Sequence, residues 1–328
     1  MLSTLTSIAI LFSIPYNTSV QTKRIKLIPS GENYVFKLNT KGVIITGTYD
    51  VTYNNKTYNP NEKDIRKGDT IIEANSKKIS NINDLSNLIK DSSSLNLKIK
   101  RKNEILKREL PIYKINNISR SGLYVKDRVI GVGTITYIDP STMIYGGLGH
   151  EVVDNDTNSI VDLSSGEIYY NDVISITKGS NMHPGEKVSN TSLKESIGNV
   201  LINSSYGMFG KYYRSISNSR TYEIAYKNEI KKGKARVLTC VKGNEVKSYE
   251  IMITSLKKQD ENGTKGITFK INDSELLSIA GGVYSGMSGS PIIQNNKIVG
   301  AVTHVLVDDI QYGYGIYIDN MYNKQISK

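Results

Sequence analysis

The residues best suited to chemistry in this chain are the cluster Ser285-Gly286-Met287-Ser288-Gly289-Ser290-Pro291 and three histidines, His150, His183 and His304. The cluster runs into Ile292-Ile293 and, past a short turn, into Lys297-Ile298-Val299-Gly300-Ala301-Val302. This is the pattern of a glycine-rich hairpin that holds one serine at its apex. A serine hydroxyl is a weak nucleophile at neutral pH, so it needs a tight exposed turn, a neighbouring base and backbone N–H groups ready for a developing oxyanion. Glycines on both sides permit the backbone angles and the close substrate approach. A serine-glycine turn alone would also fit an ordinary link between strands. Pro291 and the strand pair behind it favour the nucleophile loop.

A base is then required. His150 stands in Tyr145-Gly146-Gly147-Leu148-Gly149-His150-Glu151-Val152, directly after a glycine-rich passage from strand to loop, where its imidazole can reach out toward a neighbouring loop. His304 competes for the role from the strand that follows the serine hairpin. His183, in Asn181-Met182-His183-Pro184-Gly185, reads as a turn residue.

Other chemistries find little support. Cys240 is the only cysteine, so neither an intrachain disulfide nor a cysteine zinc site can form. The histidines are too far apart for a His-Glu-x-x-His helix, and neither a metal nor a cofactor is expected. The net charge is +11, but the basic residues are scattered and form no stripe of the kind that nucleic acid requires. Diffuse positive charge suits an anionic membrane surface at least as well.

The elements that must position these residues fall into two domains, as the length of 328 residues suggests. Residues 1–20 hold an apolar stretch, Leu5 to Pro15, too short to span a bilayer and suited to a signal peptide or short membrane anchor. Residues 29–112 alternate strands and turns around one amphipathic helix, Asn83–Ile89. Within them, Ile65-Arg66-Lys67-Gly68-Asp69-Thr70-Ile71-Ile72-Glu73-Ala74-Asn75 resembles the PDZ domain, with Ser76 where a Gly is usual. That resemblance implies a peptide groove between the helix and an edge strand that follows the loop near Ser30-Gly31 or lies near Gly42-Val43-Ile44-Ile45. A domain boundary is expected in Ser119–Gly131. From residue 120 to 328 many short strands are separated by turns, which argues for a β-barrel or sandwich. The fold class expected is mainly β: a small α+β PDZ-like domain, then a chymotrypsin-like double β-barrel.

Gly286-Met287-Ser288-Gly289-Ser290-Pro291 resembles the nucleophile loop of chymotrypsin-like proteases. The resemblance makes Ser288 the nucleophile, the N–H groups of Gly286 and Ser288 the oxyanion hole, and His304 a pocket-lining residue. Together with Arg120-Ser121-Gly122-Leu123-Tyr124-Val125-Lys126-Asp127, Gly131-Val132-Gly133-Thr134-Ile135-Thr136-Tyr137-Ile138-Asp139-Pro140, Gly147-Leu148-Gly149-His150 and Gly300-Ala301-Val302-Thr303-His304-Val305, the loop resembles the SpoIVB peptidases of endospore-forming bacteria. The resemblance extends over nearly the whole chain after residue 30.

That family implies a sporulation-specific serine endopeptidase exported from the forespore into the intermembrane space. There it cleaves a membrane-bound regulator, SpoIVFA-like, of the sigma-K processing complex. It also implies self-cleavage near the N-terminus and recognition through the PDZ domain. The family's histidine and serine fall on His150 and Ser288 and its carboxylate on Asp273, with Asp154, Asp156 and Asp162 as alternatives and an N-cap as the other role open to Asp273. In such a triad His150 takes the Ser288 proton and Asp273 orients the imidazole. The alternatives are a catalytically inactive PDZ-bearing adaptor and a peptidase of the same type with another sporulation substrate.

Overall fold

The computed structural model describes residues 24–217, 219–257 and 263–325. The expected signal or anchor segment, residues 1–20, lies outside them. No helix among the described residues is long and apolar enough to cross a membrane.

Strands dominate, as the sequence leads one to expect. The elements that matter for the site are β1 (Lys26–Pro29), β2 (Asn33–Thr48), β3 (Thr70–Ala74), α1 (Ile82–Lys90), β4 (Ser94–Arg101), β5 (Glu104–Pro111), β6 (Leu123–Ile138), β7 (Ile144–Gly147), β8 (Leu163–Thr177), β9 (Glu186–Val200) and β10 (Gly207–Lys211). They are followed by β11 (Gly233–Cys240), β12 (Val246–Leu256), β13 (Ile267–Ile271), α2 (Ser274–Ala280), β14 (Pro291–Gln294), β15 (Lys297–Val305) and β16 (Tyr312–Tyr317).

Two rings of six strands form. The first runs β2-β6-β7-β10-β9-β8 and back to β2, closed between β9 and β10 by the bridge Gly198–Tyr212. The second runs β11-β12-β13-β16-β15-β14 and back to β11, every neighbouring pair antiparallel. Alternation supplies each interior. Tyr34, Phe36 and Leu38 of β2 enter the first core with Ile135, Tyr145 and Ile168. In β13 the residues Ile267, Phe269 and Ile271 enter the second. This is the double barrel expected from the sequence.

The small domain's expected start at residue 29 needs correction, whereas its far boundary falls inside the expected Ser119–Gly131, since Leu123 and Val125 side with the small core and Val129 with the first barrel. β1 pairs with the end of β6 (Ile28 with Ile138), and the first half of β2 pairs with both β6 and β8. Residues 26–39 therefore belong to the first barrel. The small α+β unit is an insertion, entered along β2 and left along β6. Gly42 makes the transition: its φ of +101° turns the strand over, so that buried positions shift from Tyr34, Phe36 and Leu38 to Val43 and Ile45, which face the small core with Ile71, Leu95, Leu97 and Ile99. A Cβ at Gly42 would lie 2.5 Å from the Ile71 carbonyl oxygen. α1 is capped by the Asn81 side chain on the Asp84 N–H, close to the helix expected at Asn83–Ile89.

The peptide groove expected beside Val43-Ile44-Ile45 also needs correction. That stretch of β2 is paired with β3 on one side (Val43 with Ile71) and with β6 on the other (Ile45 with Val125). No edge is left there for an added strand, nor just after Ser30-Gly31, where β2 pairs with both β6 and β8.

Candidate active site

β7 ends at Gly147, and Leu148 and Gly149 follow with φ of +63° and +72°. Two consecutive left-handed residues lift the chain off the barrel wall and deliver His150 to the gap between barrels. From the other side comes the hairpin 285–291, with positive φ at Gly286 and Gly289. A cleft of about 720 Å³ lies between them, lined by His150, Gly286, Ser288, Thr303 and His304 among others.

Ser288 lines this cleft. Its Oγ donates to the Thr303 carbonyl at 2.8 Å. Ser290, two places on, is fully buried with its hydroxyl unpaired, so it has no access to substrate. The N–H groups of Gly286 and Ser288 donate to no protein group among the described residues. Two unengaged amide donors beside an accessible hydroxyl are what an oxyanion site requires.

The His150 ring places Nδ1 2.7 Å from the Glu151 carbonyl oxygen. A carbonyl can only accept, so Nδ1 carries the proton and Nε2 the lone pair. Burial pulls the His150 pKa below its ordinary 6.5, against the weaker opposing pull of Glu151. The imidazole is thus neutral at pH 7, as a general base must be. His304 packs on it with ring centroids 5.1 Å apart, and its pKa falls to about 4, through burial first, then the neighbouring His150 and Lys265.

The pH consequences have a definite sign. The acid limb of kcat/KM, which reports the base in the free enzyme, is expected below pH 6.5. The unfolded chain takes up the His304 proton near 6.5 and the folded protein only near 4. Stability is therefore complete above 6.5 and declines as the pH falls through that window. Urea unfolding at pH 7 and pH 4.5 should show a smaller acid loss for His304→Gln than for the parent; equal losses would exclude the effect.

The carboxylate expectations fare differently. Asp273 is not brought to His150. It is the N-cap of α2, its Oδ1 accepting from Leu276 N at 3.0 Å and its Oδ2 from Glu250 N at 3.2 Å. The physical reason is local: two backbone donors with no other partner take both oxygens. Nor is any alternative free. Asp154 pairs with Lys126, Asp156 with Lys126 and Lys67, and Asp162 with Lys100 and Lys41. Asn is as good a cap as Asp, so Asp273→Asn should keep turnover within about tenfold, while Asp273→Ala should cost roughly 1 kcal/mol of stability. A folded Asp273→Asn as inactive as a His150 variant would restore the carboxylate to the triad.

Three residues at the site went unnoticed in the sequence. Thr134 and Thr136, on one face of β6, grip the hairpin across the gap between barrels. Thr134 N donates to the Ser288 carbonyl (2.9 Å), Thr134 Oγ1 to that of Gly286 (2.9 Å) and Thr136 Oγ1 to that of Gly289 (2.7 Å). The third is Lys187 of β9, whose Nζ reaches the Gly286 carbonyl at 3.1 Å. The only available signal was the Thr-x-Thr spacing in a glycine-rich strand.

A hydroxyl, a neutral imidazole and two free amide donors on a double barrel are the equipment of a serine hydrolase. The family model described as SpoIVB peptidase S55 matches residues 117–322. The chain belongs to that family and is a serine peptidase. No curated protein matches it. Among solved structures, it is similar to the active form of the Rv3671c protease from M. tuberculosis at 12% identity and a TM-score of 0.33, over 60% of this chain and 73% of that one. The inactive form of the Rv3671c protease gives 12% and 0.33 over 59% and 82%.

Proposed function

We propose that Ser288 is the nucleophile and His150 its general base in an endopeptidase whose oxyanion hole is the N–H pair of Gly286 and Ser288. The observation that carries this reading is their opening onto one cleft, with the two donors unengaged. In the resting arrangement Ser288 Oγ–H points to the Thr303 carbonyl. Attack requires the hydroxyl to exchange the Thr303 carbonyl for His150 Nε2 as the acceptor of its proton. The imidazole takes the proton as Oγ bonds to the scissile carbonyl carbon, then returns it to the leaving amine. Water repeats the cycle on the acyl-enzyme. The Glu151 carbonyl, in place of a carboxylate, holds the tautomer and steadies the imidazolium through Nδ1–H. A fluorophosphonate probe should label Ser288, located by mass spectrometry of the tryptic peptide; labelling elsewhere, or none, would count against the assignment.

Family membership supports the finer reading: a sporulation endopeptidase, exported from the forespore, that cleaves itself and a SpoIVFA-like membrane-bound regulator. Its small α+β unit would select the substrate segment through a surface other than the paired β2 stretch, and its N-terminus would associate with the membrane. Comparing the N-termini generated in sporulating cells with active enzyme and with Ser288→Ala separates this reading from a peptidase with another substrate. Absence of any new N-terminus in such a regulator would overturn it.

A further inference from the structure

Lys187 is almost fully enclosed, at 4% exposure, yet it pairs with no carboxylate among the described residues. Its Nζ donates to Asn33 Oδ1 at 3.0 Å and to the Gly286 carbonyl at 3.1 Å, and lies 5.7 Å from the Tyr284 ring centre. Asn33 Nδ2 in turn reaches the Asn171 carbonyl at 3.4 Å. Enclosing an amine without a counter-ion is costly, and an apolar side chain of the same length would pack there more cheaply. Burial drags the pKa of this lysine down to about 7. Charged or neutral, the amine still donates.

The position of Lys187 explains what the cost achieves. Its own N–H donates to the Ser285 carbonyl at 3.1 Å. That carbonyl shares a planar peptide with the Gly286 N–H, so tying the oxygen one way aims the N–H the other way. The next carbonyl, that of Gly286, is held by Lys187 Nζ from one side and Thr134 Oγ1 from the other. Main chain and side chain of one residue thus fix both peptides that flank the Gly286 Cα, a glycine at φ +94° with no Cβ to resist rotation.

We propose that Lys187 is the positioning residue of the oxyanion hole, holding the Gly286 peptide so that its N–H faces the cleft. The inference rests on the reading of Gly286 N–H and Ser288 N–H as the oxyanion donors. Lys187 touches no reacting atom and acts through the loop.

The test uses Lys187→Met in the full chain, with a peptide substrate, the matching peptide aldehyde, which forms a tetrahedral adduct with the serine, and the matching peptide amide, which does not. The expected result is a fall in kcat of about 100-fold, the size of losing one oxyanion donor. KM should change less than about threefold, aldehyde affinity should fall in step with kcat, and amide affinity should hold. Thermal stability should be equal or higher. A kcat within threefold of the parent would overturn the proposal, as would a parallel fall of aldehyde affinity, amide affinity and melting temperature, which marks a merely structural role. Should the Met variant fail to fold, Lys187→Gln, which keeps a donor on a shorter stem, should show the same split between aldehyde and amide at a smaller size; no split overturns the proposal. Ser288→Ala is measured alongside. Turnover surviving in Ser288→Ala would remove the reading of the site itself, whereas its loss beside unchanged Lys187→Met kinetics would remove only the role of Lys187.

Discussion

Ser288→Ala is expected to abolish peptide hydrolysis and probe labelling, a loss on the order of 10⁶-fold in kcat, while the melting temperature stays within a degree or two. The hydroxyl faces the cleft and makes one hydrogen bond, to the Thr303 carbonyl, so its removal costs the fold little. Ser290→Ala is the internal comparison. That hydroxyl is buried without a partner, and removing an unsatisfied buried group should leave stability equal or improved and turnover near normal. Kinetics and melting curves of the two variants decide the register of the loop. An inactive Ser290→Ala beside an active Ser288→Ala would refute the assignment.

His150→Ala should lose as much as Ser288→Ala, because nucleophile and base act as a unit and each single loss is nearly as deep as the joint one. His304→Ala should lose far less, on the order of tenfold, because it contributes packing to the His150 ring and no proton transfer. A double variant, Ser288→Ala with His150→Ala, should be no worse than either single one. Turnover of a peptide substrate reads all four proteins. Near-normal activity in His150→Ala with a dead His304→Ala would pass the base role to His304.

Much of this site could be read from the chain because nucleophile loops are local. Glycines at 286 and 289 and a proline at 291 impose a turn whatever surrounds them, and the glycine run before His150 foretells a histidine aimed out of a strand. Amphipathic periodicity likewise placed α1 within one residue at each end. What escaped depends on distant partners. The resemblance pointed to Asp273, but whether a carboxylate before Ser-Glu-Leu-Leu caps the helix or reaches a histidine is decided by where α2 packs. The grip of Thr134 and Thr136 on the hairpin spans more than 150 residues of chain. β9, Glu186–Val200, is so polar that it carries little strand signal; its pairing with β8 makes it a strand. The misplaced start of the small domain has the same origin, since period-two alternation reveals a strand without revealing that its two halves serve different cores.

The insertion of the small unit between two barrel strands has a consequence for processing. A unit strung in front of the barrels would be shed by one cut in its linker. Here both ends of the unit leave through the β2–β6 ribbon, whose register runs from Leu123–Thr48 to Thr134–Asn33. A single scission anywhere between Thr48 and Leu123 would yield two polypeptides still laced together by that ribbon. One fragment would carry β1 and β2, and the other would carry His150 and Ser288. Such a nick would halve nothing in solution, and the nicked protein would betray itself only once denatured.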